Sequence, residues 1–142
     1  MHFHIGKNNV FGREFLKKND VIVLSHKEFY ELPIKFLSKC TLLSVSAFDP
    51  NLKFQYLQGE DLLTSNIIEC FNRDVNFVYF STARALENTC PEHHRIYAYN
   101  KEWIYKILSS HFLNSTCVYV PNIIPDIIPG VSKFVDTYIS NL

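Results

Sequence analysis

Glycine is scarce in this 142-residue chain, with four in all, so glycine-rich linkers and low-complexity tracts are excluded. Charge of one sign is also missing: 14 basic and 14 acidic residues leave a formal net charge of +0. That removes the global electrostatic case for nucleic acid or an anionic membrane as partner. No apolar run approaches the ~20 residues of a membrane span. The opening "MHFHIGKNN" lacks the basic region, apolar core and small-residue cleavage site of a secretion signal. Four cysteines, Cys40, Cys70, Cys90 and Cys117, are scattered without a C-x-x-C pair, so reduced, mostly structural thiols in a cytoplasmic protein are expected. "CPEHH" brings Cys90, His93 and His94 together, and His2 and His4 flank the first apolar segment. Zinc sites take four ligands at recognisable spacing, so the cluster reads as a polar turn and no metal is expected.

What is present is an ordinary apolar share, 47%, rich in aromatics: 12 Phe, 8 Tyr and one Trp. Such a chain can build one core, and it reads as a single domain over residues 1–142. "FHI" reads as a short buried strand, a glycine-bounded turn follows, and "GREFLKKN" puts Phe11, Phe15 and Leu16 at helical spacing. "VIVLS" is a second strand. Strand, short helix and strand within about 25 residues form a βαβ unit, which implies a parallel sheet.

"KEFYELPIKFLSKC" is a helix and loop interrupted by Pro33, and "TLLSVSAF" (41–48) is a strand ended by Asp49-Pro50-Asn51. A helix is predicted over Leu62–Asn72 and a strand over Val75–Thr82. "AYNKEWIYKILSSHF" gives a helix whose apolar stripe is Trp103, Ile104, Ile107 and Leu108. A strand over Ser115–Ile124 and a short C-terminal helix, "VSKFVDTYISNL", complete the pattern. The expected fold is α/β: a Rossmann-like open parallel sheet with flanking helices, reduced in size.

Two stretches carry chemistry. In the first turn, Gly6 and Gly12 hold the outer places of a G-x-x-G-x-x-G pattern and Asn9 the middle one. Such a turn lets backbone approach a pyrophosphate at a helix N-terminus, and asparagine tolerates positive φ better than most residues. Gly6, Asn9, Val10, Phe11 and Gly12 are therefore cofactor-binding candidates, weighed against a merely structural turn. Where an NAD site places an acid after the second strand, this chain has Ser25, His26 and Lys27, which favour NADP over NAD. The alternative is that Lys27 begins a solvated helix.

The second stretch is "RIYAYNKEWIYKIL", with Tyr97 and Lys101 four residues apart and so on one helix face. An ammonium beside a phenol lowers its pKa from about 10, as an acid/base tyrosine needs near neutral pH. The preceding strand ends in Ser81 and Thr82, whose hydroxyls can bond a substrate oxygen.

With "IGKNNVFGREFL", "FVYFSTARALEN", "YAYNK" and "VYVPNIIP" in this order, the chain resembles the short-chain dehydrogenase/reductase superfamily. Its extended branch, the NAD-dependent epimerases and dehydratases of nucleotide sugars, is the nearest likeness. The resemblance implies an NAD- or NADP-dependent protein acting by hydride transfer on a nucleotide sugar or related alcohol in surface-polysaccharide biosynthesis. It implies Tyr97 as general acid/base, Lys101 as holder of the nicotinamide ribose, and Thr82, with Ser81 beside it, as the orienting hydroxyl. It adds Ala47, Pro121 and Asn122 to the cofactor contacts. The chain departs from that pattern at Asn9, at Tyr119 where arginine is usual, in the short interval from Thr82 to Tyr97, and in the short stretch after Lys101. A second subunit of a homodimer would supply the missing substrate region. The competing expectation is a non-catalytic Rossmann-like binding or interaction protein.

Overall fold

A computed structural model describes residues 1–46, 55–82 and 92–120. The elements are β1 (His2–Ile5), α1 (Val10–Leu16), β2 (Val21–Leu24), α2 (His26–Glu31), α3 (Ile34–Leu37), β3 (Leu42–Ser46), α4 (Gln55–Cys70), β4 (Asn76–Thr82), α5 (Glu92–His111) and β5 (Asn114–Val120). The five strands form one sheet in the order β2-β1-β3-β4-β5, every neighbouring pair parallel. This is a doubly wound, Rossmann-like α/β fold with one strand order reversal, at β1.

That reversal decides which helix covers which face. The chain steps from β1 outward to β2, then crosses back over β1 to β3 and continues in one direction to β5. Right-handed crossovers therefore send α1 to one face and the later helices to the other. The packing agrees. Phe15 of α1 stacks on His4 and Phe11 on Phe80. On the opposite face Phe3, Ile5, Leu43, Val45, Phe77 and Tyr79 meet Phe29 of α2, Leu63 and Ile67 of α4, and Ile104 and Leu108 of α5. Burying each such side chain contributes about 1.5–3 kcal/mol, so this face holds most of the hydrophobic stabilisation.

The alternation of strand residues fits this division. Pro33 separates α2 from α3, as its fixed φ and missing N–H require. Two expectations need correction. Trp103 is 52% exposed and Leu16 is 49% exposed, so neither belongs to its helix's buried stripe. On α5 the inward row is Lys101, Ile104 and Leu108, at helical spacing, and Trp103 falls outside it. α4 and α5 also begin earlier than expected, at Gln55 and Glu92, and the first turn of α5 is polar. Among the described residues no helix is long and apolar enough to cross a membrane.

Candidate functional site

In an open parallel sheet the crevice lies at the carboxyl ends of the strands where their order reverses, here between β1 and β3. Gly6 closes β1 with φ +130, a region that L side chains avoid. A Cβ at Gly6 would stand 1.9 Å from the Ser46 carbonyl oxygen, and one at Gly12 would stand 1.9 Å from the Gly6 carbonyl oxygen. Both glycines are thus required by the contact of the turn with β3 and α1. Asn9 does not use its tolerance of positive φ, for its φ is −110. Its side chain folds back: Oδ1 accepts from the Gly12 N–H at 2.9 Å, and Nδ2 donates to the Ser46 carbonyl at 2.9 Å. Asn9 is the N-cap of α1 and a bridge across the crevice.

At the end of β2, Ser25 caps α2. Its hydroxyl accepts from the Glu28 N–H, and the Glu28 carboxylate accepts from the Ser25 N–H, a complete capping box. Lys7, from the first turn, donates to that same carboxylate at 3.1 Å, and with the Ser25 N–H it holds Glu28 below the usual carboxylate range. Lys27 is exposed. His26 turns inward, and burial, then the nearby charge of Lys101, lowers its pKa. His26 and Lys101 are therefore brought to one region of the α5-covered face.

Lys101 is fully buried, with Nζ 5.2 Å from the centre of the Tyr79 ring. An ammonium over an aromatic face is electrostatically favourable. Ser81 is also fully buried on this face. Cys117 and Tyr119 of β5 share the face in register, Cys117 opposite Tyr79 and Tyr119 opposite Ser81. Burial raises the Cys117 thiol to about 11, so it is protonated and a poor nucleophile at neutral pH. Burial and a hydrogen bond with Glu102 likewise push the Tyr119 phenol up. Lys101 thus lies near Ser81 and Cys117, with Tyr119, hydrogen-bonded to Glu102, farther along the strand of Cys117.

The opposite face carries a polar cluster that the sequence reading passed over. His4, fully buried, has Nδ1 2.6 Å from Ser44 Oγ and Nε2 2.8 Å from Ser46 Oγ. His2 Nε2 lies 2.8 Å from the same Ser44 oxygen, and Ser46 Oγ donates to Asn9 Oδ1 at 3.1 Å. A signal for it exists in the sequence. "HFH" and "SVS" alternate polar and apolar residues at the same parity, and parallel pairing sets His4 beside Ser44.

Thr82 closes β4 and Tyr97 lies on α5, but both side chains fall outside the described residues, as does that of Val10. Ala47, Pro121 and Asn122 lie outside them entirely, and so do Cys90 and the side chains of His93 and His94. Among the described residues no three His, Cys, Asp or Glu side chains gather as metal ligands. No protein-family model, no curated protein and no solved structure matches the chain.

Proposed function

We propose that this chain is an NAD(P)-binding domain of the short-chain dehydrogenase/reductase kind, related to the nucleotide-sugar epimerases and dehydratases. The observation that carries the reading is Lys101: a fully buried lysine, four residues after Tyr97, over the Tyr79 ring and on the face of Ser81. In this reading Lys101 holds the nicotinamide ribose and lowers the pKa of Tyr97, which takes the substrate's hydroxyl proton. Thr82, with Ser81, orients that oxygen. A bound nicotinamide supplies the hydride acceptor or donor. Lys27, exposed at the start of α2, suits the 2′-phosphate of NADP. A homodimer and a cytoplasmic location, with Cys40, Cys70 and Cys117 as free thiols, belong to the same proposal.

A second reading, a non-catalytic Rossmann-like interaction protein, is favoured by Asn9. The Gly12 N–H and the Ser46 carbonyl are already engaged by its amide, so the turn does not offer the open backbone that a pyrophosphate takes from three glycines. In the reductase reading Lys101 serves the ribose end, while the Asn9 amide weighs against a pyrophosphate at the turn.

Thermal melting of the wild type and of Lys101→Met, each with saturating NADP⁺, NAD⁺ or UDP, separates the two. Ligand at about 100 times its Kd adds ~2.7 kcal/mol and raises the melting point by several degrees. A dinucleotide shift in the wild type that disappears in Lys101→Met supports the reductase reading and names the cofactor. No shift with any of the three transfers the weight to the interaction protein.

A further inference from the structure

The α1 face of the sheet is larger than the helix that covers it. α2 to α5 pack on the other face, so among the described residues α1 alone serves this one. α1 is short and packs over β1 and β2, with Phe11 and Phe15 reaching as far as Phe80. Register places Val78 of β4 beside Ser44 and Thr116, and Phe80 beside Ser46 and Val118, all on the α1 side. Neighbours within a sheet flank a side chain but do not cover it, because side chains stand out of the sheet plane. Val78 is nevertheless only 3% exposed, and Val118 is half-buried. On the flank of α1, Glu14 is buried too, although Lys17, its ion-pair partner, keeps most of its own side chain in water. A valine and a carboxylate shielded in this way need a neighbour besides α1.

We propose that residues 131–142, "VSKFVDTYISNL", cover this face, lying beside α1 and across β4 and β5 of the same chain. The stretch lies outside the described residues, and its sequence suits the place. Val131, Phe134, Val135, Tyr138, Ile139 and Leu142 recur at the spacing of a single apolar helical stripe. Lys133 is the one basic residue in 121–142, and it supplies a cation for the flank that holds Glu14.

Length and connection agree. The chain passes Val120 at the carboxyl side of the sheet, and residues 121–130 are long enough to turn it back. A helix over 131–142 spans about 18 Å, comparable with the ~23 Å of a strand as long as β4. The two other stretches outside the described residues, 47–54 and 83–91, each run from the end of a strand to a helix of the opposite face. Residues 121–142 are the stretch placed to reach the middle of β4 on the α1 side. The inference rests on the fold and is independent of any ligand.

Two NMR measurements on the whole chain test it. Nuclear Overhauser contacts are expected from the Val78 and Val118 methyls to Val135, Ile139 or Leu142. In a sample that mixes two isotope labels, these contacts are expected within one chain and not between chains. Ile139→Ala, a mild change, should shift the Val78 or Val118 methyl resonances and leave those of Leu43 and Val45, on the other face, in place. Absence of contacts from Val78 and Val118 to residues 131–142 would overturn the proposal. So would contacts found only between chains, or a shift at Leu43 and Val45 alone.

Discussion

The two faces of the sheet bury a basic side chain in opposite ways. Under α1, His4 is fully buried with a hydroxyl on each ring nitrogen, and its partners come from β3, the strand beside it. Under α5, Lys101 is equally buried but is delivered by a helix onto a strand's aromatic ring. The first arrangement is complete without a ligand and ties together β1, β3 and the cap of α1. The second brings a cation to the side of the sheet that carries Ser81, Cys117 and the Tyr119–Glu102 pair. His4 meets its partners on the neighbouring strand, whereas Lys101 reaches the sheet from a helix and meets an aromatic ring.

The comparison is broken most severely at the crevice between the faces. Gly6→Ala combines a positive φ with a Cβ 1.9 Å from backbone oxygen, which no rotamer change relieves. We expect a loss above about 4 kcal/mol, or no folded protein, by urea denaturation. A loss under about 1 kcal/mol would mean the turn can leave β3 freely, and neither face would then be anchored as described. Next in size is His4→Ala, which leaves Ser44 and Ser46 short of a partner at about 1–3 kcal/mol each and opens a void beneath Phe15. A total near 3 kcal/mol is expected, with a dinucleotide shift, where the wild type has one, preserved. Lys101→Met should do the reverse, abolishing the shift while the protein stays folded.

The fold was legible for a reason that the site was not. Strands such as "VNFVYFST" and "VIVL" are apolar runs bounded by turn chemistry, and the βαβ spacing forces parallel pairing, so the sheet follows from local pattern. The glycine turn was legible as a turn, but its meaning depended on where the Asn9 amide points, and sequence does not say. The same holds for Ser25, whose capping box with Glu28 accounts for its hydroxyl. Trp103 looked like core because it neighbours Ile104, although α5 turns it outward and brings Lys101 inward in its place. The His–Ser cluster was hidden because it joins residues some 40 positions apart on strands whose register had first to be known.

A smaller effect sharpens the comparison through pH. A histidine held at about 4 in the folded protein and 6.5 in the unfolded one contributes stability above pH 6.5 that is lost as pH falls toward 4. For His2 the shift corresponds to roughly 2–3 kcal/mol. Denaturation midpoints should therefore fall steadily between pH 6.5 and about pH 4, and His2→Gln should flatten the fall. An unchanged slope in that variant would move the acid sensitivity to other groups.

The smallest effect compares two helix caps. Ser25→Ala removes a capping box that is local to α2, and about 1 kcal/mol is the usual cost. Asn9→Ala removes a cap from α1 and, with it, the bond to the Ser46 carbonyl that crosses from one strand's turn to the next. A further ~1 kcal/mol follows if that crossing bond contributes as an ordinary internal hydrogen bond. Asn9→Ala should thus cost about twice what Ser25→Ala costs in parallel denaturation curves. Equal losses would mean that Asn9 acts as a cap alone, and the α1 face would then end at Ser46 without reaching the turn.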